Sequence, residues 1–154
     1  MESRDICRIA RKTAGYTQEK WAERLGITAE AVYQYEAGKI RPADDIVLSM
    51  ATLAGMPIIC YWHMLDKSQV AADLLPEVSD VPISQAAIAL LRRMQDFDRA
   101  GRLDALLAIA EDGVIDAQEA PEFATIVDEL RALIAAAMQV NLCKDAARTA
   151  GKTG

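Results

Sequence analysis

The chain has 154 residues, 52% of them apolar and only 5% aromatic, with a formal net charge of −6 and a pI near 4.8. That length suits one or two domains, and a chain rich in Ala and Leu without any alternating β-branched run is expected to be all-α. No stretch approaches the ~18 consecutive apolar residues of a membrane span, and the opening MESRDICRIARKT is charged and amphipathic rather than an apolar leader. Cys7, Cys60 and Cys143 are too few and too irregularly spaced for a disulfide framework, so the expectation is a cytoplasmic protein with free thiols and no membrane contact.

A first helix is expected from about Asp5 to Ala14, with Ile6, Ile9 and Ala10 on one face and Gly15 as its stop. Thr17-Gln18-Glu19 opens a second, a hydroxyl capping the orphan amides and an acid meeting the positive end of the dipole. Gly26, just past Ala22-Glu23-Arg24-Leu25, ends it by taking positive φ. Thr28 caps a third helix, Ala29 to Ala37, which Gly38 closes, and Arg41-Pro42 forbids continuation. Two helices separated by three or four residues cannot lie side by side. The third therefore projects as a recognition helix of the kind that enters a major groove.

Asp44 and Asp45 open a fourth helix running through Ile46, Val47, Met50, Ala51 and Leu53 to Gly55, and Pro57 starts a fifth, Ile58 to Leu65. Five helices in residues 1–66 are just enough for a core of their own. Residues 67–82, a stretch with two prolines, several acids and a short helical piece, read as a linker. Beyond it, Ser84 is placed to cap a helix carrying Ala87, Leu90, Leu91, Met94 and Phe97. A second segment spans Leu103 to Ala110. A third, from Asp116 to about Leu142, presents Phe123, Ile126, Val127, Leu130, Leu133, Ile134, Ala137 and Met138. Residues 83–142 thus form a helical domain of about three helices for dimerisation or partner binding, with Leu130 and Ile134 as candidate seam positions. Residues 143–154 lack apolar anchors after Cys143 and should form a flexible tail.

The acidity is uneven. Residues 1–66 carry eight Lys/Arg against nine Asp/Glu, and residues 67–154 nine against fourteen, so most of the negative charge lies in the second half. The first half must grip DNA through local clusters of charge, which implies modest affinity and strong salt sensitivity.

Arg11, Thr17-Gln18, Leu25-Gly26, Thr28, Val32, Tyr35-Glu36, Gly38 and Arg41-Pro42 together resemble the lambda-repressor-like, or XRE, family of helix-turn-helix regulators over about residues 4–65. Beyond residue 78 the pattern LLRRMQDFDR to IVDELRALI is similar to C-terminal domains of small phage-derived or mobile-element regulators. The first resemblance implies a five-helix DNA-binding domain in which an Arg near the end of helix one pairs with the Glu of the recognition helix, here Arg11 with Glu36. It also assigns DNA contacts. Gln18 would brace a phosphate or reach a base edge, Gln34 would bond adenine N6 and N7, and Thr28 would cap first and touch the backbone second. Ala29 and Glu30 stand where many members carry Arg, Lys or Gln, so Glu30 reads cytosine N4 or deters nonspecific binding. Tyr33 can offer a hydroxyl to a phosphate, and Lys39 and Arg41 can grip the backbone.

Two other patterns lead nowhere catalytic or metallic. Asp112 to Glu119 imitates part of a calcium loop, yet Ala108 and Ala110 occupy the positions that should supply the first carboxylates; a capping box between Asp116 and Glu119 explains it better. Cys60 and His63 share a helical face, but two ligands make no structural zinc site, and the lone histidine leaves no catalytic dyad with an orienting third group. No cofactor and no enzymatic activity are expected. The sequence reading is a double-stranded DNA-binding transcription regulator, a repressor acting as a homodimer on a pseudo-palindromic operator. The competing reading is an antitoxin-like module that binds a protein partner through the C-terminal domain, with DNA binding secondary.

Overall fold

A computed structural model describes residues 2–143, and over them the chain is built of α-helices. The expected tail from residue 144 on lies outside the described residues. Two compact units divide the chain, the first reaching Leu75 and the second spanning Pro76–Asn141.

The first unit opens with α1 (Ser3–Ala14), α2 (Gln18–Leu25) and α3 (Ala29–Glu36), followed by α4 (Asp44–Ala54), α5 (Ile58–Lys67) and α6 (Gln69–Leu74). Its helix ends follow local chemistry. Thr17 Oγ1 accepts from the Lys20 amide at 3.2 Å and Thr28 Oγ1 from the Ala31 amide at 3.1 Å, so each hydroxyl satisfies a donor that has no partner inside its own helix. Between them Gly26 takes φ 69°, the left-handed region that side chains with a Cβ resist, and Ile27 N–H closes on the Ala22 carbonyl. Helix α1 packs against α3, α4 and α5. Ile6, Trp21, Val32, Met50 and Ile59 are fully buried there.

Part of the stretch read as a linker is helical. Ser68 Oγ accepts from the Ala71 amide at 3.2 Å and starts α6, which packs on α5. Pro76 lies two residues past its end.

The second unit consists of α7 (Ile83–Arg99), α8 (Arg102–Ala110) and α9 (Ala120–Asn141). Phe97, Ile109 and Ile126 form its buried centre, with Leu106, Phe123, Leu130 and Leu133 packed around them. Arg102 ties α8 to α9 through a bidentate contact with the Glu129 carboxylate at 3.0–3.1 Å. Asp116 and Glu119 cap each other's backbone: Glu119 N–H donates to Asp116 Oδ1 at 2.9 Å and Asp116 N–H to Glu119 Oε2 at 3.1 Å. Both carboxylates are thereby committed to amides.

Three details differ from the sequence reading. Pro82, not Ser84, precedes the first turn of α7, and no side chain caps it. The apolar positions of α7 split, Phe97 being buried while Leu91 and Met94 are more than half exposed. Leu130 packs into its own unit's core, whereas Ile134 is half exposed.

Candidate nucleic-acid interface

At 100° per residue, Val32 and Glu36 fall on one side of α3, and Glu30, Tyr33, Gln34 and Ala37 on the other. Burial follows that division: Val32 and Glu36 are buried, and Gln34 is the one member of the opposite set that is only half-buried. The helix thus has an anchored side and a presented side.

Glu36 is the anchor. Its carboxylate, on a residue 4% exposed, accepts from Arg11 Nε at 2.6 Å, Arg11 Nη2 at 2.9 Å and Gln18 Nε2 at 2.9 Å. Burial pushes its pKa up, but the bonds from Arg11 and Gln18 outweigh burial and hold it below the ordinary glutamate value. Arg11 also donates to the Tyr16 carbonyl at 2.9 Å, joining α1 to the start of α2. Arg8, absent from the sequence-based set, donates to the Glu36 backbone carbonyl at 3.0 Å. The signal lay in its spacing: Arg8 and Arg11 are three residues apart, hence on one face of α1. Orienting the recognition helix therefore takes two arginines and Gln18.

Gln18 faces inward. One of its amide donors is engaged by Glu36, which makes it a brace between α2 and α3 while its oxygen and second N–H remain for other partners.

On the presented side, Gln34 Nε2 donates to the Glu30 carboxylate one turn earlier. A glutamine amide has two donors and one acceptor oxygen. With one donor held by Glu30, the remaining N–H and the oxygen are the pair that matches adenine N7 and N6. Tyr33 is 48% exposed, and Lys39 Nζ lies 5.3 Å from its ring centroid, so the cation and the ring stand together at the edge of the helix. Arg41 is half exposed and pairs with Asp66 at 3.2 Å, which fastens the loop after α3 to α5. Thr28 and Ala29 are exposed at the start of α3.

His63 is buried and bonds Asp44 through Nε2 at 3.0 Å, while Lys67 reaches the same carboxylate oxygen at 2.7 Å. This cluster joins α4 to α5. Among the described residues no group of three or more His, Cys, Asp or Glu is placed to hold a metal ion, and no helix is long and apolar enough to cross a membrane.

The helix-turn-helix family model matches residues 8–58, from the second turn of α1 to the first residue of α5. Residues 8–58 are a helix-turn-helix domain of XRE type. A domain of this kind supports a DNA-binding regulator of XRE type. The match stops short of α6 and of the whole second unit, so the likeness of residues beyond 78 to phage-derived regulators has no family model behind it. No curated protein and no solved structure matches the chain.

Proposed function

We propose that the helix-turn-helix domain reads double-stranded DNA in a sequence-specific way and that the chain represses transcription in the cytoplasm as a homodimer on a pseudo-palindromic operator. The observation that carries this reading is the presented side of α3: Gln34, held by Glu30, offers a bidentate hydrogen-bonding edge on a helix whose opposite side is fastened by Arg8, Arg11 and Gln18. Thr28, Ala29 and Tyr33 flank that edge, and Lys39 and Arg41 supply positive charge beside it for the phosphates.

One recognition helix spans only a few base pairs, and a second copy about one helical turn away, roughly 34 Å, is the usual geometric solution. The second unit leaves large apolar side chains in solvent and is the part we assign to pairing. Repression needs no contact with polymerase, only occupancy of a site the polymerase requires.

Selection from a random duplex pool with the purified full-length protein tests this. Enrichment of two inverted half-sites at constant spacing is expected. A pool that stays random through successive rounds would remove sequence-specific reading, and a single unpaired half-site would remove the dimer. If a basic protein copurifies in fixed ratio and displaces the DNA, the antitoxin-like reading takes its place.

A further inference from the structure

Helix α7 has two apolar sides, and only one is used by its own unit. Ala86 and Phe97 are buried and Leu90 half-buried, while Ile83, Ile88, Leu91 and Met94 are each more than half exposed. On a helical projection Ala86, Leu90 and Phe97 fall within a narrow arc. Ala87, Leu91 and Met94 fall roughly 60–120° away from that arc's centre, with Ile88 beyond them. The outer stripe continues through Ser84, Ala87/Ile88, Leu91, Met94/Gln95 and Asp98, alternating steps of three and four residues as a two-helix seam does.

That stripe is symmetric about Leu91. If a second α7 lies antiparallel with the two-fold axis at Leu91, Ile88 meets Gln95 of the other copy, Ala87 meets Met94, and Ser84 lies level with Asp98. The charges agree with this register. The first turn of α7 carries no acid and no side-chain cap, whereas Asp96 and Asp98 lie near its own negative end. Antiparallel pairing brings Asp98 of each copy to the uncapped N-terminus of the other, turning an unfavourable placement within one helix into a favourable one between two.

We infer that the homodimer seam is the outer face of α7, closed by a second copy running antiparallel with Leu91 on the two-fold axis. The inference rests on the dimeric reading above and fixes the surface and register that serve it. A seam of one helix from each chain is small for a stable interface, so the free protein should exchange between monomer and dimer, with a two-half-site operator favouring the dimer.

Analytical ultracentrifugation of the full-length protein, with circular dichroism as the folding control, provides the test. Leu91→Lys places two like charges on the axis and should raise the dimer dissociation constant about thirtyfold or more, the loss typical of a central anchor, with unchanged helicity because Leu91 is exposed. Ile88→Glu should weaken the dimer, and adding Gln95→Lys should restore it. Within one helix these positions are seven residues apart, two turns along, and do not touch, so the rescue reports the register between chains. Should Leu91→Lys disturb folding, Leu91→Cys decides: mild oxidation should link it to itself as a covalent dimer, whereas Leu107→Cys and the unaltered chain, with its own three cysteines, should not link. A dimer that survives Leu91→Lys, lacks the double-variant rescue and gives no Leu91→Cys link overturns the α7 seam while leaving the dimeric reading intact. A parent protein that stays monomeric, free and on operator DNA, overturns both.

Discussion

At the scale of single residues, Glu30 and Gln34 would divide the work of recognition under the proposed function. Gln34→Ala should cost roughly 1–3 kcal/mol on the preferred operator and relax preference at one base pair, as removal of a bidentate base contact does; a randomised-site assay with unchanged selectivity would take Gln34 out of the reading set. Glu30→Gln removes an acid facing the polyanion, so affinity for random DNA should rise and discrimination should narrow, measured as the ratio of specific to nonspecific affinity at one salt concentration. Arg41 belongs to a different class. Its partner Asp66 sits at 3.2 Å and its own side chain is half exposed, so DNA competes with a pair worth little in water. Arg41→Ala should weaken all sequences alike and lower the salt slope by about one ion, and a loss confined to one sequence would mark it as a reader instead. Gln34 and Arg41 could be singled out from the sequence because the helix-turn-helix spacing fixes where they fall. Their partners could not all be: Glu30 is one turn from Gln34 and visible in the pattern, whereas Asp66 lies 25 positions from Arg41 and only the packing of α5 brings it there.

Between elements, the decisive contact is the one that holds α3 against α1. Glu36→Ala leaves Arg11 without its bidentate partner and Gln18 without its acceptor in a buried setting, a loss of about 3–5 kcal/mol for a broken buried pair. In a small domain that is a large part of the total stability. The first unit should melt far below the parent, and a melting temperature within a degree or two would contradict the burial. The same contact sets an acid limit. Because the folded pKa of Glu36 is depressed, its contribution is present above the unfolded value near ~4.3 and is lost as the pH falls through the folded value. Between pH 5 and pH 3 the parent's melting temperature should therefore fall more steeply than that of Glu36→Gln. Beside this network, burial and then the Glu36 charge push the Cys7 thiol up to about 12; at pH 8 the native protein should leave Cys7 unmodified by a disulfide reagent until it is unfolded. The helix ends were legible because Thr17, Gly26, Thr28 and Gly38 act on amides and carbonyls within a few residues of themselves. In α7 the sequence stopped short: Leu91, Met94 and Phe97 satisfy one helical pattern equally well, and only the placement of α8 and α9 decides that Phe97 is covered and the other two are not.

Across the whole molecule, the question is what the second unit adds to a first unit that already holds the recognition helix. The first unit has its own buried centre around Ile6, Trp21, Val32, Met50 and Ile59, and the Glu36 carboxylate, the two arginines and Gln18 that orient α3 all lie within it. A fragment ending near Asp80 should consequently fold, remain monomeric, and enrich the same half-site as the full chain. Its affinity for the complete operator should be another matter. In a dimer the second recognition helix binds from an effective concentration set by the chain that links it to the first, which raises avidity by ~10²–10⁴ over a single half-site when the geometry lets both engage. The fragment should lose that factor on a two-half-site operator and lose almost nothing on an isolated half-site, because no DNA contact has been removed. Titrating fragment and full-length protein against both duplexes at one salt concentration separates the terms. Equal affinity of the two proteins for the complete operator would mean that residues 83–142 do not couple two readers, and their exposed apolar surface would then have to serve a different protein.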